Sequence, residues 1–155
     1  MILIDSNALI LLILGLINQD LIAKHKTTSI YTKRDFEDLL IVIKDLSNLV
    51  VLPNIWTEVD NLLNRLSGNY KWPYIEKVKS LVAQTSEQYL KSELGINNDY
   101  FISVGLTDSL ILELGKKCDL LITADSTLSD IAIANDIEVY DIVKKRNEDF
   151  RDSSI

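Results

Sequence analysis

The sequence of 155 residues has one cysteine and one histidine, and each scarcity argues against a class of protein. With Cys118 alone the chain has no internal disulfide, which is typical of a reducing compartment and predicts a cytoplasmic protein. His25 lies between Lys24 and Lys26 in a polar stretch. A single histidine in such a place argues against a histidine-based zinc site and against a Ser-His-Asp triad. Any catalytic chemistry therefore has to come from other side chains.

Positive charge and long hydrophobic runs are also scarce. Lys and Arg number 16 against 23 Asp and Glu, and the formal net charge of −7 gives no long-range attraction to nucleic acid. Local basic groups can still contact phosphates. The most apolar stretch, residues 8–17, is too short to span a bilayer and is interrupted by Gly15. We therefore expect a buried first helix and no association with a membrane.

Short apolar runs alternate with segments of helical periodicity along the chain. Strands are predicted at residues 2–4, 49–52, 119–123 and 137–140, and helices at 8–17, 34–46, 54–66, 100–117 and 126–135, with one or two more between 74 and 94. The alternation predicts an α/β fold whose mostly parallel central sheet is covered by helices on both faces. We expect one domain over residues 1–143 and a loose, charged tail over residues 144–155.

Acidic residues follow two of the predicted strands directly. Asp5 comes after the first strand, and Asp125 comes after the strand at 119–123. If the strands are parallel, both acids lie at the sheet edge where ligands of open α/β sheets gather. Each acid is equally suited to capping the helix that follows it. The neighbouring Asn7, Thr123 and Ser126 are suited to orienting carboxylates or water by hydrogen bonds, or to capping.

Two further acids lie in predicted helices. Asp108 interrupts an apolar stripe, and no lysine or arginine within one helical turn is placed to pair with it. A charge that faces inward is costly unless it is paired or bound to metal. Glu58 and Asp60 share a helix, with Glu58 at the margin of its apolar face. Either of them can also be an acid that complements the helix dipole.

Four carboxylates brought to one point repel one another unless cations neutralise them. Divalent ions of the magnesium or manganese kind prefer oxygen ligands and assist phosphodiester chemistry. The acids therefore predict a metal-dependent nuclease.

In their order and spacing these residues resemble the PIN domain, a family of small metal-dependent ribonucleases that includes many bacterial toxins. The resemblance covers nearly the full length of the chain. The family's first aspartate is matched by Asp5 within Ile2-Leu3-Ile4-Asp5-Ser6-Asn7, its helical glutamate by Glu58, its helix aspartate by Asp108, and its fourth acid by Asp125 within Thr123-Ala124-Asp125.

The resemblance implies a three-layer α/β/α sandwich with the first strand beside the strand that carries the fourth acid. It also implies hydrolysis of RNA with one or two Mg²⁺ or Mn²⁺ ions. Asp5, Asp108 and Asp125 would be ligands, and Glu58 would hold a second ion or orient the attacking water. A toxin of this family has an antitoxin partner and can form a homodimer, although nothing within this chain reveals either.

The surface that would contact RNA is less defined. Candidate phosphate contacts are Lys24, Lys26, Lys33, Arg34, Arg65 and Lys71, each of which can equally be a plain surface charge. Trp72 and Tyr70 can stack on unpaired bases, or the run Trp72-Pro73-Tyr74 can simply pack between helices. Two other functions stay open: a PIN-like binding module without turnover, and a metal-dependent phosphatase of another α/β class.

Overall fold

In the computed structural model, which describes residues 1–154, five parallel strands form a single sheet in the order β3-β2-β1-β4-β5. The strands are β1 (Ile2–Ile4), β2 (Leu49–Val51), β3 (Ser86–Glu87), β4 (Leu120–Thr123) and β5 (Val139–Asp141). From β1 the chain passes first to β2 and β3 on one side, and later to β4 and β5 on the other. The order therefore reverses between β1 and β4, which makes the crevice beyond their carboxyl ends the switch point of the sheet.

Helices cover both faces of this sheet. They are α1 (Ser6–Ile17), α2 (Asp20–Lys24), α3 (Lys33–Ile43), α4 (Pro53–Leu63), α5 (Lys71–Gln84), α6 (Ser92–Ile96), α7 (Phe101–Gly115), α8 (Ser126–Ala134) and α9 (Ile142–Asp152). Right-handed crossovers place the helices between β1 and β3 on one face and those between β3 and β5 on the other. In agreement, α1 packs on α2 to α5, and α7 packs on α6 and α8. The predicted three-layer α/β/α sandwich is confirmed.

The first helix is the centre of the core. Every residue from Ala8 to Leu14 is completely buried, because α1 packs against four other helices and against β4. Gly15 lets α3 approach closely, since a Cβ atom there would lie 2.3 Å from the ring of Phe36. The apolar run is therefore a buried helix, as predicted. No helix in the described part of the chain is both long and apolar enough to cross a membrane.

Strand β3 was not predicted from the sequence. It has only two residues, Ser86 and Glu87, both exposed, and it pairs with β2 at the edge of the sheet. A strand this short and polar has no alternating or apolar run to reveal it. The helices predicted between residues 74 and 94 are α5 and the first part of α6, with β3 between them.

The expectation of a loose tail from residue 144 was wrong for the residues that the structure describes. They form most of α9, which begins where Asp141 accepts hydrogen bonds from the amides of Val143 and Lys144 at 3.1 and 2.9 Å. The guanidinium of Arg146 then joins α9 to α3 by donating to the Asp35 carboxylate at 2.9 Å. These long-range contacts are invisible in a local charge pattern. Residue 155 of the expected tail lies outside the described residues, and the expected boundary at residue 143 falls inside α9.

We predict that the Arg146–Asp35 pair contributes to stability. Asp35 is 4% exposed, so Arg146→Ala leaves a buried carboxylate without its cation and should lower the free energy of unfolding by about 3 kcal/mol. Urea denaturation measures the change. The neighbouring Lys145→Ala removes an exposed pair with Asp149 and should cost under about 1 kcal/mol. Equal effects of the two substitutions would contradict the assigned role.

Candidate metal centre

Two of the four predicted acids sit at the switch point of the sheet. Strands β1 and β4 pair with Ile4 opposite Ile122, and the amide of Asp5 donates to the Ile122 carbonyl at 3.0 Å. Asp5 caps α1 by accepting from the Ala8 amide at 3.2 Å, and Asp125 caps α8 by accepting from the Leu128 amide at 2.9 Å. In both caps the acceptor is the Oδ1 atom of the carboxylate. Both acids therefore cap helices and also line the cavity described below.

Thr123 links these two acids. Its hydroxyl donates to Oδ2 of Asp5 and accepts from the backbone amide of Asp125 at 3.0 Å. Thr123 is completely buried, so its hydroxyl has little freedom to turn elsewhere. This threonine fixes the orientation of Asp5, which is one of the two roles that the sequence predicted for it.

Asp108 lines the same cavity and follows a kink in α7. Gly105 adopts φ 81° and ψ −176°, a backbone conformation that favours glycine, and it separates the first turn of α7 from the rest. The continuous helix predicted over residues 100–117 was therefore wrong at this point. Asp108 lies in the first turn after the kink, where the amide dipoles of a helix favour negative charge. Ile111 and Leu112, on the following turn, are buried.

The fourth acid comes from α4. Glu58 is half-buried and lines the cavity, whereas Asp60 is exposed and accepts a hydrogen bond from the Tyr74 hydroxyl at 2.8 Å. Asp60 therefore joins α4 to α5 and lies outside the cavity. The choice of Glu58 over Asp60, which periodicity left open, agrees with this geometry.

All four acids line one cavity of about 310 Å³. The complete lining is Asp5, Ser6, Asn7, Glu58, Val104, Leu106, Thr107, Asp108 and Asp125. As far as residues 1–154 define it, this lining contains no lysine or arginine. Val104, Leu106 and Thr107 were not predicted as site residues, and they flank the kink at Gly105.

Burial and mutual repulsion perturb two of these carboxyl groups. The pKa of Asp5 is raised to about 6, mainly by burial and also by the charge of Asp125, while the hydrogen bond from Thr123 opposes both effects. The pKa of Asp108 is raised to about 7, mainly by burial and also by the charges of Asp5, Asp125 and Glu58. The Asp108 carboxyl therefore experiences the field of all three other acids.

The donor chemistry fits a hard divalent cation. Carboxylate oxygens are the preferred protein ligands of Mg²⁺ and Mn²⁺, and a cation would relieve the repulsion that raises these pKa values. Within residues 1–154, however, no three acidic, histidine or cysteine side chains are already arranged as a metal-ligand group. An ion here would be held directly by one or two carboxylates and through water by the others, as Mg²⁺ commonly is.

The other predicted residues lie in different surroundings. Asn7 lines the cavity, whereas Ser126 begins α8 and is exposed. Lys24, Lys26, Arg65 and Lys71 are exposed, Lys33 pairs with Asp20, and Arg34 lies 3.7 Å from Asp38. None of these basic residues lines the acidic cavity. Trp72 is 69% exposed, so the alternative that it packs between helices was wrong, while its neighbour Tyr74 is buried.

Comparisons with known proteins give little to compare with this site. No protein-family model and no curated protein matches the sequence. A solved domain of a functionally unknown protein from Methanocaldococcus jannaschii DSM 2661 is similar at 15% sequence identity and a TM-score of 0.47, over 90% of this chain and 89% of that chain. The chemistry of the cavity therefore has to be argued from its own residues.

We predict that metal-free protein is destabilised by its own acids as pH rises. A carboxyl with a higher pKa in the folded than in the unfolded state binds its proton more tightly when folded. Its contribution to the free energy of unfolding therefore falls as pH rises from the ordinary value of 3.8 to about 7 for Asp108. In EDTA at pH 8, Asp108→Asn should be more stable than wild type by about 1–2 kcal/mol, after allowing for solvent screening.

Urea denaturation between pH 4 and pH 8 measures this difference. The two proteins should converge toward pH 4, because the Asp108 carboxyl is then protonated in the folded state and close to half-protonated in the unfolded state, where its pKa is 3.8. Asp99→Asn, which alters an exposed acid outside the cavity, is the matched control and should follow wild type. A difference for Asp108→Asn that does not depend on pH would contradict the electrostatic explanation.

Proposed function

We propose that this protein is a metal-dependent endoribonuclease that hydrolyses RNA phosphodiester bonds at the four-carboxylate cavity. The observation that carries the proposal is the lining of that cavity. Asp5, Glu58, Asp108 and Asp125 come from four separate parts of the chain, and no basic side chain among residues 1–154 lines the cavity with them. A group of acids in an open cavity without counter-charge is suited to divalent cations and, through them, to phosphate.

Each acid has a role that follows from its surroundings. Asp5, Asp108 and Asp125 would hold Mg²⁺ or Mn²⁺, with Asp5 oriented by the Thr123 hydroxyl. Glu58 projects from α4 and is less buried than Asp5, so it is suited to holding a second ion or to orienting the attacking water. When bound, the metal supplies a nucleophilic water and positive charge for the leaving oxygen.

The Asp108 carboxyl is additionally suited to exchanging protons near neutral pH. Its raised pKa of about 7 describes the site without metal, and a bound cation would lower it by favouring the charged form. The carboxylate that carries a proton in the empty site would therefore release it on metal binding. Metal affinity should rise with pH over this range for the same reason.

The wider biological proposal depends on the PIN resemblance alone. A toxin role, an antitoxin partner, a homodimer and a cytoplasmic location belong to it. A PIN-like module that binds without turnover would use the same cavity, and the experiment below distinguishes the two.

We predict that cleavage depends on both metal and Asp5. Wild type should cleave a mixed panel of RNAs with Mn²⁺ or Mg²⁺ and not with EDTA. Asp5→Asn can retain the cap on α1, because an asparagine oxygen can accept the same Ala8 amide. Its cleavage rate should nevertheless fall by at least about a hundredfold, since a neutral ligand stabilises the metal and its developing charges less well.

The matched control is Asp60→Asn on the helix that carries Glu58. Its hydrogen bond to Tyr74 lies outside the cavity, so cleavage should stay near the wild-type rate. Full activity of Asp5→Asn would disprove the site. Metal binding by wild type without cleavage of any RNA would favour the binding module.

We also predict that the Thr123 hydroxyl supports Asp5. Thr123→Val keeps the shape of the side chain but removes the donor, and it should lower activity by about 10–100-fold. Thr123→Ser keeps the hydroxyl and should restore most of that loss. Single-turnover cleavage measures both variants, and a valine variant with wild-type activity would show that Asp5 needs no such partner.

A further inference from the structure

A second cavity, of about 330 Å³, lies between α3 and the C-terminal half of α9. Its lining includes Thr32, Arg34, Asp35, Arg146, Asp149 and Phe150. Phe150 is 65% exposed, which is unusual for so large an apolar side chain on a polar helix. The walls combine this ring with the aliphatic stems of long charged side chains. The cavity is therefore shaped for a ligand with flat apolar faces and polar edges.

Arg146 supplies a fixed donor group to this cavity. Its Nη1 donates to the Asp35 carboxylate at 2.9 Å and to the Ile30 carbonyl at 2.8 Å. Among residues 1–154, its Nε and Nη2 atoms make no hydrogen bond to protein, so donors remain for a ligand. Asp38 and Asp149 supply acceptors at the rim. Donors and acceptors thus stand beside one exposed aromatic ring.

Charge selects among ligands with flat faces. The two guanidinium groups in the lining are outnumbered by three carboxylates, those of Asp35, Asp38 and Asp149. Phosphate oxygens would be repelled by this surplus. A nucleobase is uncharged, stacks on an aromatic ring, and carries both amino donors and carbonyl or ring-nitrogen acceptors at its edge. The lining is complementary to a base rather than to its phosphate.

The second cavity lies close to the acidic one. Tyr31 is buried directly before Thr32, and its pKa is raised to about 12, mainly by burial and also by the charges of Asp5 and Asp35. Asp141, which begins α9, lies opposite Thr123 on the neighbouring strand, about 4.8 Å away in the sheet. Phe150 lies on the same helix, about 14 Å from Asp141 at 1.5 Å per residue, so an RNA strand bound at the acids would reach Phe150 by running along α9.

From this geometry we propose that the cavity between α3 and α9 is a subsite for one unpaired base of the RNA substrate, stacked on Phe150 and contacted at its edge by Arg146. The proposal rests on the proposed nuclease function and adds how the substrate is held. Arg34 has a side chain that is 78% exposed and only loosely paired with Asp38. Arg34 lies at the rim of the cavity, where it would contact the phosphate next to the bound base.

The test measures RNA binding separately from cleavage. A fluorescein-labelled, single-stranded 12-nucleotide RNA of mixed sequence is titrated with the full chain carrying Asp5→Asn, in Mg²⁺, and followed by fluorescence anisotropy. Adding Phe150→Ala should weaken binding by about five- to a hundredfold, the range expected for loss of one base–aromatic stack. Phe150→Trp should keep or strengthen binding, because tryptophan also stacks.

Ile133→Ala is the matched control. Ile133 is 54% exposed near the end of α8, outside the lining of the cavity. The substitution removes a similarly exposed apolar side chain and should not change the RNA affinity. Circular dichroism checks that each variant is folded. If Phe150→Ala changes self-association in sedimentation while RNA affinity stays constant, the cavity serves a second copy of the chain and the subsite is disproved.

Cleavage by wild type separates this proposal from the proposed function. Cleavage with unchanged RNA affinity in Phe150→Ala would disprove the subsite and leave the nuclease intact. RNA binding that weakens in Phe150→Ala and not in Ile133→Ala, without cleavage under any metal, would support the subsite and disprove the nuclease. Absence of both binding and cleavage would disprove both.

Discussion

The parallel pairing of β1 with β4 is the constraint on which the candidate site depends. That register sets Asp5 beside Thr123, so one hydroxyl can bond the first acid while it accepts from the amide of the fourth. A shift of one residue would turn every side chain of the strand to the opposite face and break this contact. Asp5 has little freedom in addition, because it caps α1, and α1 is enclosed by other helices and by the sheet. The core thus holds the site rigid.

The rigid site is unfavourable for the ionised forms of its own carboxyl groups. Two carboxyl groups have pKa values raised by burial and by one another, which means that the fold holds them where their charged forms are disfavoured. The fully buried leucines and isoleucines of α1 each contribute about 1.5–3 kcal/mol through burial, and they offset such a cost. Strain of this kind, concentrated in one cavity, is typical of functional sites and also occurs in structural ion networks. Within residues 1–154 no lysine or arginine lines this cavity, so a structural ion network does not explain the raised pKa values.

The parts predicted correctly from the sequence are those with a local signal. Strand-end acids follow apolar runs, so Asp5 and Asp125 were placed from the parallel sheet alone, and α1 was recognised as buried from its composition. Asp108 was selected as an unpaired acid in an apolar setting, although the helix was assumed to be straight. The kink depends on φ at Gly105, and a glycine in the sequence does not reveal which φ it adopts. Strand β3 and helix α9 depend on tertiary partners, on β2 for one and on Asp35 for the other, and no local pattern contains those partners.

The charge distribution limits how any polyanion can approach this protein. The chain carries a formal charge of −7, the acidic cavity has no basic lining in the part of the chain that the structure describes, and the six basic residues considered as phosphate contacts lie outside that cavity. Long-range attraction therefore cannot bring RNA to the site, and bound divalent ions would supply attraction only at the reacting phosphate. Contacts that are insensitive to net charge, such as stacking on an exposed aromatic ring, would then have to provide much of the remaining affinity. Phe150 stands beside such a cavity, and Tyr31 and the start of α9 connect that cavity to the acids. If the protein is the proposed nuclease, it would hold its substrate mainly through contacts to the bases and would use its carboxylates to bind the metal.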